Sequence, residues 1–597
     1  MSATVLRIDL GSGGSARSQL DDPSLLGPVD WAAHEGGDDT FLGAGPLSLA
    51  EVPGSNRLVI AGRSPLWCGF YVSTMGSAGG ALRGAGVDLV RLSGSASRPS
   101  VLYLGPDARV RIDPVDPDEV WAGDPGGTAP LLSWLKGRAE GPSRCLAVGP
   151  ASRSTRMGAI ASALFRSGEP VTIETWAGRG GFGSKLFQQH GLVAIVFSGE
   201  PPTRRRLHDM VVAPADVERA TIKYRYHPQL KTGGTFGSNF TNLREKMLAW
   251  NARSVLDTPE RRLEAYERLV ERHYLRQFNE EIVARGRGRD CGETCPAVCK
   301  KVSDGHKKDY QPYAALGPNI GVFDHRAAER VNAVADGLGF DSVEAGGLVG
   351  WGFELVCEGL VEASDLGLAH APRFEADGFD PVEDSARNAE LAGALLRSVV
   401  AGDRPLTAAM QGGLRAAAAS VGGDGKERAL YVANGDDGSV CPNQYWVPGM
   451  LAPVPVSGKY YVDYGFDFRP PRELGRSCAA RMIREIGLDN VGLCRFQREW
   501  AEPRMDDLLR AAGWTAIGDV DLHHAALSRR VALQAQPRGL ETRRAKELLA
   551  GWIEEVRRDD AHSDELEGWV TRFRSDRDAA ADAWWEDMRI GIGQGLS

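Results

Sequence analysis

Four cysteines form the pattern in this sequence that most directly suggests chemistry. Cys291, Cys295 and Cys299 follow one another in RDCGETCPAVCKK, and Cys494 lies far along the chain in GLDNVGLCRF. A cuboidal 4Fe-4S cluster takes one thiolate for each iron, so a loop with three thiolates and a remote fourth suits it. A structural zinc site also uses four thiolates, but it usually arranges them as two Cys-x2-Cys pairs. The spacing favours the cluster and leaves zinc as the alternative.

A second pattern adjoins one of these cysteines. The segments DNVGLC (489–494) and DGLGFD (336–341) share the form Asp-x-x-Gly, then Leu or Phe, then Cys or Asp. A carboxylate followed by a glycine turn exposes backbone groups that can grip the polar edge of a flat heterocycle. Either segment alone is more often a simple helix end. Two copies, one of which runs into a cluster cysteine, predict a cofactor-binding role.

Two glycine-rich segments lie nearer the N-terminus. NRLVIAGRSPL with TMGSAGGALRGAGVD forms the first, and WAGRGGFGSK forms the second. Each alone is an ordinary turn, because glycine is first of all a turn residue. In the order loop, loop, cysteines, DxxGFD and DxxGLC, the sequence resembles the aldehyde ferredoxin oxidoreductase family, tungsten enzymes whose metal lies between two pterin dithiolenes. The resemblance spans nearly the whole chain.

The resemblance implies roles for the matching residues. The two aspartate motifs would each hold one pterin, with these roles at Asp336, Asp341, Asp489 and Leu493. Backbone N–H groups and arginines of the glycine-rich segments would hold the pterin phosphates, and the matching positions are Arg57, Arg63, Gly79, Gly80, Arg179, Gly180 and Gly181. A magnesium ion would bridge those phosphates. The carbonyl of Ala177 is the better candidate ligand for it and Ser73 the poorer one.

The sequence also departs from the family pattern. The first two cluster cysteines are separated by three residues, whereas the family usually has two. Gln311 stands at about the position where aldehyde-oxidising members carry a glutamate, and a glutamine cannot take up a proton. Arg330 and Ala333 replace the Glu-x-x-His pair that bridges subunits through a metal in some members. We therefore expect a divergent member that can oligomerise only without a metal-bridged dimer site.

Other residues must then supply acid–base chemistry. The candidates are His273 on the helix before the cluster loop, His306, Asp309 and Tyr310 after it, and the distant Cys441. Gln311 stays a candidate catalytic residue, but not as a base. A lone helical histidine more often satisfies local hydrogen bonds, although its titration range suits proton transfer. Cys441 could ligate the metal as a thiolate, but an inert buried thiol is the commoner case.

The resemblance implies an oxidoreductase that converts an aldehyde to its carboxylic acid. Electrons would leave through the cluster to ferredoxin or to an iron–sulfur electron-transfer subunit. One alternative is a low-potential reductase of an aromatic or unsaturated acyl-CoA thioester, and another is a non-catalytic electron-transfer subunit. Tungsten and molybdenum share ligand preferences here, so the residues do not decide between them.

Composition and net charge limit the classes of protein to which this chain can belong. The chain has 597 residues with a net charge of -9, which argues against a nucleic-acid surface. No apolar stretch approaches the roughly 20 residues that span a bilayer, and the N-terminal residues lack a signal pattern. The nine cysteines are an odd number spread thinly over an acidic chain, so they do not resemble a disulfide framework. We expect a cytoplasmic protein with a small-molecule substrate.

The strand-like and helix-like segments around these residues predict an α+β fold. Residues 1–212 read as a β-rich pterin-binding region, with strands in RLVIAG, VDLVRLSG, SVLYLG and LVAIVFSG. Residues 213–425 read as mainly helical and hold three cluster cysteines and the first aspartate motif. One clear helix begins near Thr258 and Pro259, residues suited to a cap and a first turn. Residues 426–597, also mainly helical, hold the second motif, so the cluster should lie where these regions meet.

Overall fold

The computed structural model describes residues 3–123, 126–138, 142–200, 213–289, 291–293, 295–303, 306–452, 455–456, 459–460, 465–515, 518–559 and 563–597. Strands dominate up to residue 198, and helices dominate from residue 214 onward. The predicted α+β class, with a β-rich N-terminal region followed by mainly helical regions, is confirmed. The domain boundaries at 212 and 425 stay a prediction.

Twelve strands of the N-terminal region form two six-stranded sheets. The first sheet has the order β2-β1-β6-β3-β4-β5 and consists of β1 (Ala3–Asp9), β2 (Gly14–Leu20), β3 (Thr40–Ala44), β4 (Leu58–Arg63), β5 (Phe70–Met75) and β6 (Leu89–Ser93). The second has the order β8-β7-β12-β9-β10-β11 and consists of β7 (Ser100–Gly105), β8 (Arg109–Pro114), β9 (Ser143–Val148), β10 (Ile160–Arg166), β11 (Glu169–Ala177) and β12 (Leu192–Ser198).

The two sheets repeat one topology. Adding six to each strand number of the first sheet gives the order of the second. In each sheet the first strand pairs in parallel with the last, β1 with β6 and β7 with β12, and every other pairing is antiparallel. The N-terminal region is therefore built from two halves of the same connectivity.

The four predicted strands are confirmed as β4, β6, β7 and β12. All residues of β7 and β12 are buried, in agreement with their continuous apolar sequences. A strand that is covered on both faces reads as an apolar run rather than as an alternating one. These two strands are the parallel pair of the second sheet, and each has a neighbouring strand on both sides.

Short helices connect the strands of this region: α1 (Pro28–Glu35), α2 (Ala78–Gly84), α3 (Pro117–Val120), α4 (Thr128–Trp134), α5 (Ala151–Ser154) and α6 (Phe182–Ser184). α2 follows β5, and α6 follows β11, so they occupy equivalent places in the two halves. The residues before them, Ser77 and Gly181, have φ angles of 55° and 71°. The same left-handed turn thus leads into both helices.

The middle region contains α7 (Pro214–Arg225), α8 (Gly234–Leu243), α9 (Pro259–Ala265), α10 (Leu275–Phe278), α11 (Tyr310–Ala315), α12 (His325–Leu338), α13 (Ser342–Cys357), α14 (Glu383–Ala401), α15 (Pro405–Met410), α16 (Leu414–Val421) and α17 (Gly423–Glu427). Thr258 caps α9, because its hydroxyl accepts a hydrogen bond from the Arg261 backbone at 3.4 Å. The predicted helix start is confirmed. π-helical stretches at Tyr266–Tyr274 and Asn279–Val283 continue this helix toward the cysteines.

Three short strands hold the cysteine triplet. β13 (Gly288–Arg289), β14 (Lys300–Ser303) and β15 (His306–Lys307) form an antiparallel sheet, and the three cysteines lie in the loop between β13 and β14. Two further strand pairs are β16 (Val432–Asn434) with β17 (Gly438–Val440) and β18 (Pro455–Val456) with β19 (Lys459–Tyr460).

The C-terminal region contains α18 (Pro471–Asn490), α19 (Arg498–Ala501), α20 (Met505–Ala511), α21 (Val520–Ala532), α22 (Arg543–Asp559), α23 (Asp564–Ser575) and α24 (Arg577–Gly595). α18 ends against the first half of the N-terminal region. The amide oxygen of Asn490 accepts hydrogen bonds from Val29 and Asp30 in the first turn of α1, at 3.0 and 3.1 Å. No helix in the described ranges is both long and apolar enough to cross a membrane.

Candidate active site

The two aspartate motifs adopt the same backbone turn. Gly339 follows α12, Gly492 follows α18, and their φ angles are 79° and 71°, a conformation that favours glycine. The Gly339 N–H donates to the Asp336 carbonyl at 3.1 Å, and the Gly492 N–H donates to the Asp489 carbonyl at 3.0 Å. Both copies are therefore helix-terminating turns, and their cofactor-binding role stays a prediction.

Each turn binds to the start of an equivalent strand in one half of the N-terminal region. The Gly339 carbonyl accepts from the N–H of Ala159, just before β10, at 2.7 Å. The Gly492 carbonyl accepts from the N–H of Arg57, just before β4, at 3.3 Å. The two motifs are thus placed alike on the two repeated sheets.

Close backbone packing fixes both placements. A Cβ atom on Gly149, which follows β9, would lie 2.4 Å from the Leu338 carbonyl oxygen. A Cβ atom on Gly45, which follows β3, would lie 2.2 Å from the Val491 carbonyl oxygen. Real Cβ atoms do not approach backbone so closely, and only glycine lets the motif turns sit directly on the sheets.

Arg179 of the second glycine-rich segment joins the first motif in a buried ion network. Asp341 caps α13 by accepting from Val343 and Glu344 backbone N–H groups at 3.0 and 3.3 Å. Its other carboxylate oxygen lies 3.0 Å from Arg179 Nε, and Glu344 Oε1 lies 3.2 Å from Arg179 Nη2. One guanidinium therefore serves two buried carboxylates. Burial, and then the neighbouring Asp341 charge, raise the pKa of Glu344 to about 7.

The same network holds Cys441. Its N–H donates to Glu344 Oε1 at 2.7 Å, and its carbonyl accepts from Arg179 at 2.7 Å. The thiol is buried against α13, where a Cβ on Gly347 would lie 2.4 Å from Cys441 Sγ. Burial, followed by the Glu344 charge, raises the pKa of the Cys441 thiol well above its usual range. The thiol is therefore protonated at neutral pH.

Tyr310 lies beside this segment. Its hydroxyl donates to the Gln444 carbonyl, and its ring centroid is 5.0 Å from that of Tyr445. Gln311 follows on the first turn of α11 and is half-buried, while Asp309 precedes the helix and forms an ion pair with Lys307. The start of α11 and the segment after Cys441 thus pack together.

The two candidate histidines lie outside this buried network. His273 contacts Asp324 at 3.1 Å, and the Asp324 carboxylate also caps α12. Although burial opposes it, hydrogen bonds from His273 and Gln277 help lower the pKa of Asp324 to about 2. His306, on β15, lines a surface cleft with several arginines. The geometry of His273 agrees with the structural alternative, in which the ring serves a local hydrogen bond.

The four candidate cluster cysteines share one region. Burial raises the pKa of the Cys291, Cys295 and Cys299 thiols, and the charge of Cys494 raises each of them further. Gln497 Nε2, three residues after Cys494, lies 3.1 Å from Cys295 Sγ. Within the described residues, no group of three or more His, Cys, Asp or Glu side chains is arranged to hold a single metal ion. A four-iron cluster takes its four thiolates on four separate irons.

The environment of Lys300 indicates whether this region fits an anionic metal–thiolate centre. Its side chain is buried, and its Nζ has no hydrogen-bond partner among the described residues. Burial lowers the pKa of Lys300 to about 8, so the amine is mostly protonated at pH 7. A buried ammonium needs a compensating negative charge. The neighbouring Cys291 and Cys299 would supply that charge as metal-bound thiolates, so the residues present fit such a centre.

A second set of buried polar atoms lies where the two glycine-rich segments meet. A Cβ on Gly76 would lie 2.7 Å from Cys291 Sγ and 3.2 Å from Thr175 Cγ2 on β11. The Ser77 and Thr175 hydroxyls are buried without hydrogen-bond partners in the described part of the chain. Buried polar atoms in native proteins are usually paired. A polar cofactor between the two sheets, next to the cysteines, would pair them.

The remaining cofactor candidates lie on strands β4, β5 and β11, on α2 and in the turn before α6. Gly79 and Gly80 are buried in α2, and a Cβ on Gly79 would lie 2.6 Å from the Arg57 carbonyl oxygen. Gly180 packs on the Tyr71 ring, Gly181 begins α6, and Ser73 and Ala177 belong to β5 and β11. Arg63, at the end of β4, is exposed.

Residues 28–199 match the family model for the aldehyde ferredoxin oxidoreductase N-terminal domain, and residues 217–445 match that for domains 2 and 3. The chain is 34% identical over 586 residues to the glyceraldehyde-3-phosphate:ferredoxin oxidoreductase of Pyrococcus furiosus, covering 90% of this chain and 88% of that protein. This chain belongs to the aldehyde ferredoxin oxidoreductase family. It is therefore an oxidoreductase.

Two further similarities have lower sequence identity. The chain is 26% identical to the tungsten-containing aldehyde ferredoxin oxidoreductase of Pyrococcus horikoshii, over 56% of this chain and 52% of that protein. A solved structure, the active site complex BamBC of benzoyl coenzyme A reductase with 1,5-dienoyl-CoA, shares 16% identity and a TM-score of 0.61, with both chains fully covered. The structural likeness supports the fold, and the lower identities fit a divergent subgroup.

Three charged residues of this family member were not among the sequence-based candidates. Glu293 lies between Cys291 and Cys295, the first two candidate cluster ligands, and its buried carboxylate accepts from the N–H groups of Ser77 and Asn56 at 2.7 and 3.2 Å. Glu344 and Lys300 are the other two. A charge next to an apolar segment is the signal that could have identified Glu344, which precedes AGGLVGWGF, because unpaired buried charges are rare. Glu293 and Lys300 lie in a polar loop that carries no such signal.

Proposed function

We propose that this chain is a bis-pterin, 4Fe-4S enzyme that oxidises an aldehyde to its carboxylic acid and passes the electrons to ferredoxin. The observation that carries the proposal is the pair of matching Asp-x-x-Gly turns on two repeated sheets, one of which runs directly into Cys494. The relatives named as tungsten-containing favour tungsten over molybdenum. The relative named for glyceraldehyde 3-phosphate favours an aldehyde substrate.

Each proposed cofactor has its own residues. Cys291, Cys295, Cys299 and Cys494 would bind the cluster, with Lys300 as a buried counter-charge. One pterin would lie by Asp336 and Asp341 and the other by Asp489 and Leu493. Their phosphates and a bridging magnesium would contact the glycine-rich segments through Arg57, Ser73, Gly79, Gly80, Ala177, Arg179, Gly180 and Gly181. Arg63 and Arg179 have the weakest support of this set, because Arg63 is exposed and the Arg179 guanidinium is already bound by Asp341 and Glu344.

The bound metal–pterin group would supply the two-electron redox chemistry. Oxidation of an aldehyde with water yields the acid, two protons and two electrons, and the electrons would pass singly through the cluster to two ferredoxins. Glu344 is the buried residue best suited to hold one of the protons, because its pKa lies near 7. Tyr310 and Cys441 stay protonated at neutral pH and would not act as bases.

The proposal includes the cellular compartment and the way in which subunits associate. A reducing cytoplasm would keep the cysteines as cluster ligands. Subunits could associate, but without a bridging metal, since Arg330 and Ala333 stand where some family members place the Glu-x-x-His pair.

Metal analysis and an anaerobic assay test the proposal together. We expect about four irons per chain, one tungsten or molybdenum, and reduction of a viologen dye by aldehydes, with glyceraldehyde 3-phosphate in the panel. Iron without tungsten or molybdenum would contradict the proposed enzymatic activity. Zinc in place of iron would contradict the proposed 4Fe-4S cluster. Intact cofactors with no turnover of any aldehyde would contradict the substrate class.

A second candidate function is the reduction of an aromatic or unsaturated acyl-CoA thioester. Gln311 favours it, because this chain lacks a carboxylate at the position where aldehyde-oxidising relatives carry one. The solved structure with the similar fold is also a benzoyl coenzyme A reductase complex. The deciding measurement is oxidation of a reduced viologen by benzoyl-CoA under anaerobic conditions, which we expect to be absent if aldehydes are the substrates.

A further inference from the structure

We propose that a cleft beside the cluster hairpin is the docking surface for the acidic ferredoxin-type acceptor, an inference that rests on the proposed electron path. The cleft has a volume of about 490 Å³ and opens to the surface between the end of the long helix before the cysteines, strands β14 and β15, and α12. We call it the arginine cleft after four of its lining residues, Arg285, Arg287, Arg326 and Arg330.

The arginine cleft is structurally continuous with the cysteine loop. β14 begins at Lys300, immediately after Cys299, and ends at Ser303, which lines the cleft. Four residues of extended chain span about 13 Å. The Arg287 carbonyl accepts from the Val302 N–H at 3.1 Å, and the Arg287 side chain donates to the Ser303 hydroxyl. A protein seated here would contact the same hairpin that carries a proposed cluster ligand.

The cleft is positively charged on a chain whose net charge is -9. Its two glutamates are already engaged, Glu281 with Arg326 at 2.6 Å and Glu329 with the buried Lys308 at 2.6 Å. Arg285 and Arg330 are exposed, and neither forms an ion pair with a carboxylate in the described part of the chain. These two guanidinium groups are therefore available to a partner.

Charge complementarity selects an acidic protein over a second copy of this chain. Two copies related by a two-fold axis through this face would bring Arg330 toward Arg330, and like charges in an interface oppose association. A small, strongly acidic iron–sulfur protein would be attracted instead. Such attraction raises association rates mainly at low ionic strength. The side chains of the cleft would thus orient the acceptor next to the cluster.

The test is a double charge reversal, Arg285→Glu with Arg330→Glu, in the full-length holoenzyme. We expect the KM for ferredoxin to rise at least about 10-fold at low salt, and its dependence on salt to flatten. Turnover with a small viologen dye should stay unchanged, because the dye does not need the cleft. The matched control is Arg166→Glu with Arg530→Glu, two exposed arginines on β10 and α21 that do not line the cleft.

A direct binding measurement distinguishes an error in the docking proposal from an error in the proposed function. Calorimetric titration of ferredoxin into each protein measures affinity even when no aldehyde is oxidised. Equal affinity for the two double variants would overturn the docking proposal. So would a changed sedimentation coefficient of the cleft variant with unchanged ferredoxin affinity, since the cleft would then be a self-association surface. Absence of dye turnover in the unmodified enzyme would count against the proposed function alone.

Discussion

At the scale of single residues, the distinctive feature is the imbalance of charge around Arg179. One buried guanidinium contacts both Asp341 and Glu344. Two buried carboxylates cannot both ionise at low cost beside a single positive charge, so one of them retains its proton into the neutral range. The network also holds the Cys441 backbone on both sides, through its N–H and its carbonyl. A proton-holding group is thereby fixed in place next to the first aspartate motif.

Glu344→Gln should change how stability depends on pH. The raised pKa, from 4.5 to about 7, means that the folded state binds this proton more tightly than the unfolded state. Its contribution to stability is therefore lost as pH rises from the unfolded-state pKa through the raised folded-state pKa. Glutamine mimics the protonated carboxyl. The melting temperature of the variant should match the wild type at pH 5 and exceed it at pH 8.

The exposed Glu390→Gln on α14 is the matched control for that comparison. The difference in melting temperature between this variant and the wild type should be the same at every pH in that range. If the difference between Glu344→Gln and the wild type were also the same at every pH, Glu344 would already be ionised at pH 5 in the folded protein.

At the scale of elements, glycine contacts bring distant helix ends onto the sheets. α12 and α18 end in identical turns, and each turn rests on a glycine that follows the equivalent strand of its half, Gly149 after β9 and Gly45 after β3. The spacing of the motifs predicts the turns, because the turn chemistry is local. It does not predict which sheet each turn meets, since the partner glycines lie hundreds of residues away and carry no side-chain pattern.

Gly45→Ala and Gly149→Ala should each displace one motif turn. The new Cβ would meet backbone at 2.2 and 2.4 Å, and backbone cannot rotate away as a side chain can. Overpacking of this kind costs about 1–3 kcal/mol. We expect a lower melting temperature and less tungsten or molybdenum per chain. Gly539→Ala, where nothing lies within 4 Å of the added atom, is the control and should change neither quantity. Full metal content in both test variants would contradict the role of these contacts.

At the scale of the whole molecule, local signals and long-range contacts differ in how far sequence predicts them. The apolar runs of β4, β6, β7 and β12 and the cap at Thr258 were predictable because each depends on neighbouring residues. The duplicated sheet topology was not, because the two halves share connectivity without a visible sequence repeat. The Arg179 to Glu344 contact spans 165 positions, and only the folded chain brings those charges together.

The cysteine group also depends on a long-range contact, since Gln497 reaches Cys295 across 202 positions. A cluster bound there would cross-link the loop after β13 to the turn after α18 and stabilise both. Cys494→Ser should therefore lower the iron content and raise deuterium uptake in residues 288–303 as well as in residues 488–498. The exposed Cys357→Ser on α13 is the control and should leave both segments unchanged. Uptake that rises only around residue 494 would mean that no shared centre links the two segments, and the four thiols would then not act as one ligand set.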